Sequence, residues 1–310
     1  MLKYLVILLD ETSVAYCHYN VDKRASKLIS QEDLAKAITF GQKENLMIQF
    51  VYPDYPLPSE YEDLINSVDH VNIKPTCQAG ANDIAVGELS EFTENVSSTN
   101  VVLRTSFANL SNDVHKITSL VFAKERVNLI IVDIASLSDN DIESYKKFLG
   151  QLVDTIVERC KNGERLPQLN ILTDKLALTA MNNCNAGYET IAVAPDGKFY
   201  VCPAFYYGGE NDCGSVSDGV SIKNPQLYQL DYAPICRKCD AWHCHRCVWL
   251  NKEKTLEVNT PGHMQCVISH LERNASRELL AALRGIGEFM PEVEIPEIEY
   301  LDPFNKKEYE

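Results

Sequence analysis

The sequence predicts an α/β protein: an incomplete (β/α)6 barrel followed by a small cysteine-rich domain. Three observations predict it. Short apolar runs alternate with helical patterns through the first half, and strand–helix alternation means a parallel sheet with right-handed crossovers. Eight of the eleven cysteines crowd between Cys184 and Cys266. The final stretch, 288–310, is rich in Glu and Pro and cannot build a core of its own. The expected divisions are 1–180 for the barrel, 181–270 for the cysteine-rich domain, and 271–310 for a C-terminal helix and acidic tail.

In order, 4–9 reads as a buried strand. Ser30-Gln-Glu-Asp opens a capped helix that runs to about Lys43. A strand is expected over 46–52, a short helix over 59–65, a weaker strand over 70–73 and another over 101–104. An amphipathic helix follows over 113–124. The clearest strand is 127–133, and the longest helix is 138–159, opened by an Asp-rich cap. A last strand, 169–172, leads into the cysteines. Pro195-Asp196-Gly197 is a turn signal between two short strands. After Cys266 a helix over 267–283 is expected to stop at Gly285. In the tail, Val293, Ile295 and Ile298 alternate with acids, which favours packing on something.

Composition narrows the function. The net charge is −15. Phosphate contacts need clustered Lys and Arg, so nucleic acid is not an expected partner, and neither is an anionic membrane. The apolar run 5–9 is too short for a signal-peptide core and ends in Asp10. No run approaches membrane-spanning length. The expectation is a cytoplasmic protein with reduced thiols free to bind metal.

The cysteine spacing carries the chemistry. Cys184, twelve residues, Gly197, four residues and Cys202 form one unit. Cys236-Arg-Lys-Cys239-Asp-Ala-Trp-His-Cys244-His-Arg-Cys247 forms a second, and Cys266 follows alone. In C-x2-C a two-residue turn lets both thiolates point at one ion or cluster. Disulfides would need an oxidising compartment, which nothing in the sequence indicates. The knot alone suits zinc as well as iron–sulfur.

This pattern resembles the SPASM domain of radical SAM enzymes that modify peptides. All seven cysteine positions are filled, although the knot's internal gaps of four and two residues are shorter than the family's usual five and three. The resemblance implies one or two auxiliary [4Fe-4S] clusters: Cys184, Cys202 and Cys247 for the first; Cys236, Cys239, Cys244 and Cys266 for the second. The first set lacks the family's fourth thiolate; Tyr188, Glu189 and Thr190 occupy that neighbourhood. Cys213 is one substitute, and an open iron is the other.

The resemblance reaches the N-terminal half at one place. Radical SAM enzymes carry C-x3-C-x2-C after the first strand. Here Cys17, in Tyr16-Cys17-His18-Tyr19, resembles the third cysteine, and the first two positions fall on Asp10 and Val14. One thiolate cannot hold a cubane cluster. Where the family has a Gly-Gly-Glu-Pro-like turn for the cofactor's methionine, this chain has Pro53-Asp-Tyr-Pro-Leu-Pro58, which offers few backbone donors. The layout is therefore similar to a degenerate radical SAM fold with an intact SPASM-like region, and to the family called CXXX repeat peptide maturases. That likeness implies maturation of a ribosomally made cysteine-repeat peptide (a RiPP), with the precursor as partner, with or without a second modification enzyme. Cleavage of S-adenosylmethionine is not expected. The alternative is a non-enzymatic zinc-binding module that docks a partner protein.

Other candidates are weaker. Asp10, Lys74, Arg104 and Asp133 follow strands, where barrel folds place function, though charges commonly follow a strand out of a core. Cys77 and Cys160 read as incidental thiols. His243 and His245 read as outer-sphere or exposed, and Trp242 and Trp249 as packing that shields a metal site.

Overall fold

The computed structural model describes residues 2–21, 24–181, 183–242, 244 and 246–298. His243, His245 and the tail beyond Ile298 lie outside the described residues.

Along the chain come β1 (Tyr4–Leu8), α1 (Gln31–Lys43), β2 (Met47–Val51), α2 (Ser59–Ile65), β3 (His70–Pro75), β4 (Ile84–Gly87) and β5 (Asn100–Thr105). Next are α3 (Phe107–Asn112), α4 (Val114–Ala123), β6 (Arg126–Ile131), α5 (Asp139–Lys161) and β7 (Gln168–Leu169). The cysteine-rich half holds β8 (Thr190–Val193), β9 (Phe199–Tyr200), α6 (Pro203–Tyr207), β10 (Gly214–Ser215), β11 (Gly219–Val220), α7 (Val248–Thr255) and α8 (His263–Arg284). The α/β class with a parallel sheet is as the sequence predicts.

The chain forms two compact units. The first joins Met1–Arg104 to Cys184–Tyr232, and the second joins Thr105–Asn183 to Ala233–Glu310. In the first unit the strands lie in the order β5-β4-β3-β2-β1-β8-β9. β1 pairs parallel with β2 on one side and with β8 on the other, Tyr4 opposite Met47 and Thr190. Central position explains its composition: Leu5 to Leu9 are all at most 1% exposed, as a parallel strand covered on both faces requires. β8 and β9 form the expected hairpin, with Gly197 at φ +75° in its turn. α1 starts where its cap lies, since the Ser30 side chain accepts from the Asp33 backbone N–H.

In the second unit β6 pairs with β7. α5 carries a Ser138/Asp141 capping box, acids in its first turn and Arg159 and Lys161 in its last, matching the helix dipole. It buries Tyr145, Phe148, Leu152 and Ile156 and packs on α8, where the Tyr145 hydroxyl donates to Glu272 at 2.7 Å.

Three differences from expectation have local causes. The strand expected over 169–172 ends at Leu169, because the Thr173 hydroxyl binds both the N–H and the C=O of Leu169 and turns the chain into a 3-10 helix. α8 begins a turn earlier than 267, because Gln265 reaches back to the Gly262 N–H, and Cys266 therefore sits inside the helix. β4, α3, α6 and α7 are too short for periodicity to show. The tail packs as the alternation indicates: Ile298 is buried, its N–H donates to Asp240, and Glu297 pairs with Arg273 and Arg277.

Candidate metal centre

Four of the predicted ligands line one cavity in the second unit. Cys236, Cys239, Cys244 and Cys266 surround about 150 Å³, together with Met181, Ile235, Arg246, Pro261, Gln265, Ser269 and His270. A 3-10 turn over Cys236–Lys238 presents the first two thiols, the following loop presents Cys244, and α8 presents Cys266. Backbone N–H groups point at sulfur: Ala241 to Cys239 at 3.4 Å and Arg246 to Cys244 at 3.2 Å. Such bonds favour thiolate over thiol.

Burial works the other way. It pushes Cys244 up to about 12 and Cys266 up to about 11. It also raises Cys236, against which the Arg246 guanidinium acts. Two buried cations oppose the desolvation: Arg246, which hydrogen-bonds Cys236, and Lys175, whose charge reaches Cys244. Lys175 is itself held 3.7 Å from buried Glu272. A site with mainly apolar walls and cations behind its thiols is built to stabilise a negatively charged thiolate centre.

Sequence reasoning missed Arg246, Lys175, Met181 and His270. Arg246 was legible, since it lies between two knot cysteines; the others come from distant elements. His270 Nε2 stands 3.6 Å from Cys239 Sγ and 3.7 Å from Asp240. These three are the one group of three among the described residues whose ligand atoms all lie within 4.8 Å of one another. Asp240 is already engaged, by Arg273 and by the Ile298 N–H.

The remaining predicted ligands divide between the units. Cys247 caps α7 in the second. Cys184, exposed, and Cys202, at the N-cap of α6, belong to the first. So does buried Cys213, whose backbone pairs with Phe199 and Ser221.

After β1, Asp10 is fully buried and accepts from the Thr12 N–H at 2.8 Å, the Thr12 hydroxyl at 2.7 Å, Tyr55 at 2.8 Å and Ser26 at 3.2 Å. Tyr55 comes from the Pro-rich loop, which thus closes on Asp10. The other strand-end charges also have partners. Lys74 pairs with Asp83 and lies over the Tyr52 ring, and Asp133 accepts from the Phe107 N–H. Arg104 donates to the carbonyls of Cys17 and Tyr19.

No family model and no curated protein matches the sequence. Solved structures do. The structure of anSMEcpe with bound AdoMet and the peptide Cp18Cys matches with a TM-score of 0.61 at 14% identity, over 92% of this chain and 100% of that one. The chain shares the fold of that structure. SuiB of Streptococcus suis, solved with its precursor peptide SuiA and with S-adenosylmethionine, matches at 9% identity with TM-scores of 0.47 and 0.46, over 86% of this chain and about three quarters of SuiB. Among the described residues no helix is long and apolar enough to cross a membrane.

Proposed function

We propose that this protein takes part in maturing a cysteine-repeat precursor peptide, as the likeness to CXXX repeat peptide maturases implies. It holds the peptide with the aid of an iron–sulfur-bearing SPASM-like region and does not cleave S-adenosylmethionine itself. The observation that carries the reading is the convergence of Cys236, Cys239, Cys244 and Cys266 on one cavity, in a fold shared with a protein solved with a peptide bound. In this reading 1–180 is the barrel, 181–270 the cluster-binding region and 271–310 a helix with its tail.

The residues fit an auxiliary cluster. Its four thiolates would come from the cavity cysteines, and the Arg246 and Ala241 N–H groups would tune it. When bound, the cluster supplies a redox centre or a Lewis-acidic iron. The chain's own residues wall the site with Met181 and Pro261 and balance charge with Arg246 and Lys175. Four thiols on one mainly apolar cavity suit an all-thiolate centre. The residues at 10 and 14 do not fit a radical-generating cluster: Asp10 is saturated by hydrogen bonds and Val14 has no donor.

A second reading, a zinc-binding interaction module, is favoured by the close Cys239, Asp240 and His270 group. Arg273 already neutralises Asp240, which weakens it as a ligand. Fluorescence anisotropy of a labelled cysteine-repeat peptide separates the readings. The anaerobically reconstituted protein should bind it, and Cys236→Ala/Cys239→Ala should bind at least tenfold more weakly. Equal binding by both would remove the cavity from the function.

A further inference from the structure

His270 lines the cavity of the four cysteines, and the maturation reading gives it no part. It stands four residues after Cys266 on α8, so the two side chains share a helix face. His270 Nε2 lies 3.6 Å from Cys239 Sγ and 3.7 Å from Asp240 Oδ1. The ring is half-buried, and the carboxylate it faces is fully buried. Asp240 is fixed from behind. Its Oδ2 accepts from the Ile298 N–H at 2.6 Å and pairs with Arg273, which lies three residues after His270 on the same helix. Arg273 is held in turn by Glu297 at 3.2 Å. Oδ1 is thus the carboxylate oxygen turned toward the imidazole.

This geometry decides which imidazole nitrogen carries the proton. A carboxylate oxygen and a cysteine sulfur both face Nε2. Carboxylate and thiolate are acceptors, and a bare Nε2 would set its lone pair against both. The stable tautomer is the one with hydrogen on Nε2. Cys239 also accepts from the Ala241 backbone N–H at 3.4 Å. A thiolate at Cys239 therefore meets one donor from its own loop and one from α8.

We propose that His270 is a positioning residue for the centre held in this cavity: Asp240 aims its Nε2–H at the Cys239 thiolate, and that hydrogen bond raises the centre's reduction potential. The inference rests on the iron–sulfur reading of the cavity. Reduction adds negative charge to the sulfurs, and a hydrogen bond to sulfur strengthens as that charge grows. The donor therefore favours the reduced state. Holding the donor with a carboxylate, and the carboxylate with Arg273 and the Ile298 N–H, is how an outer ring of contacts orients a ligand and tunes its metal.

The test is a reductive titration, followed by EPR, of the full chain reconstituted anaerobically with ferrous iron and sulfide. The cavity's signal is the one lost in Cys236→Ala/Cys239→Ala. His270→Phe removes the donor and keeps a ring. It should make reduction of that centre at least tenfold harder, a fall of about 59 mV for one electron. His270→Gln returns an N–H on a side chain of similar reach and should stay within threefold of the parent. In the parent, pulsed EPR with isotope-labelled histidine should show a weak nitrogen coupling to the same signal. That coupling carries the proposal even where His270→Phe loses its signal. An unchanged potential in His270→Phe, or an equal fall in His270→Gln, overturns the proposal and leaves the cluster reading standing. An absent coupling overturns it too, as does a strong one, which makes His270 a ligand. If no signal depends on Cys236 and Cys239, the iron–sulfur reading falls and the proposal falls with it.

Discussion

At the scale of single residues, Asp10, just after β1, is a buried structural anchor. Its carboxylate takes four hydrogen bonds from three side chains and one backbone group. Removing a buried acceptor strands its donors, so Asp10→Ala should cost about 2–3 kcal/mol, read from urea unfolding. The thiols set a second expectation. Burial raises Cys17 and Cys244 from the ordinary 9.0 to about 12. The folded metal-free chain then holds these protons more tightly than the unfolded one. Their contribution is complete below about pH 9 and is lost as pH rises from there toward 12. The metal-free, reduced protein should show a lower urea midpoint at about pH 10 than at about pH 7.5. Cys236, Cys239, Cys244 and Cys266, which spacing singled out in the sequence, line one cavity, since ligand spacing is a short-range property. Arg246 was legible in principle, whereas Lys175 and His270 were not, since only tertiary packing brings them to the thiols.

Among elements, strands with continuous apolar runs and helices with caps could be read directly. β1 announces itself by five consecutive buried aliphatics, and α1 and α5 by Ser30 and Ser138. Elements of two to six residues, such as β4 and α6, offer too few positions for a period, and β7 was cut short by one threonine. The β8–β9 hairpin is the element on which the cysteine-rich half depends, and its turn demands glycine. Gly197 sits at φ +75°, and a Cβ there would stand 2.9 Å from the Asp33 carboxyl carbon. Gly197→Ala should therefore cost at least about 1–2 kcal/mol. It should also reduce metal bound through Cys202, detectable as a lower melting temperature together with lower metal content. Unchanged values would mean that the turn relaxes without moving the hairpin.

For the whole molecule, the fold is that of the anSMEcpe structure, and the proposed function adds that cluster-binding cysteines remain in it without a radical-generating motif. The Pro-rich loop is tied by Tyr55 to Asp10, and in the proposed function S-adenosylmethionine is not cleaved. Incubation with S-adenosylmethionine and a strong reductant should yield no 5′-deoxyadenosine above background, measured by chromatography. The central claim is that the retained cysteines carry iron–sulfur clusters, and metal analysis tests it most directly. Iron, acid-labile sulfide and zinc should be measured on anaerobically purified protein and on Cys236→Ala/Cys239→Ala. The account predicts about four to eight irons per chain with matching sulfide, and about four fewer in the variant, since each cubane holds four. One or two zinc ions without sulfide would contradict it and leave the interaction module in its place.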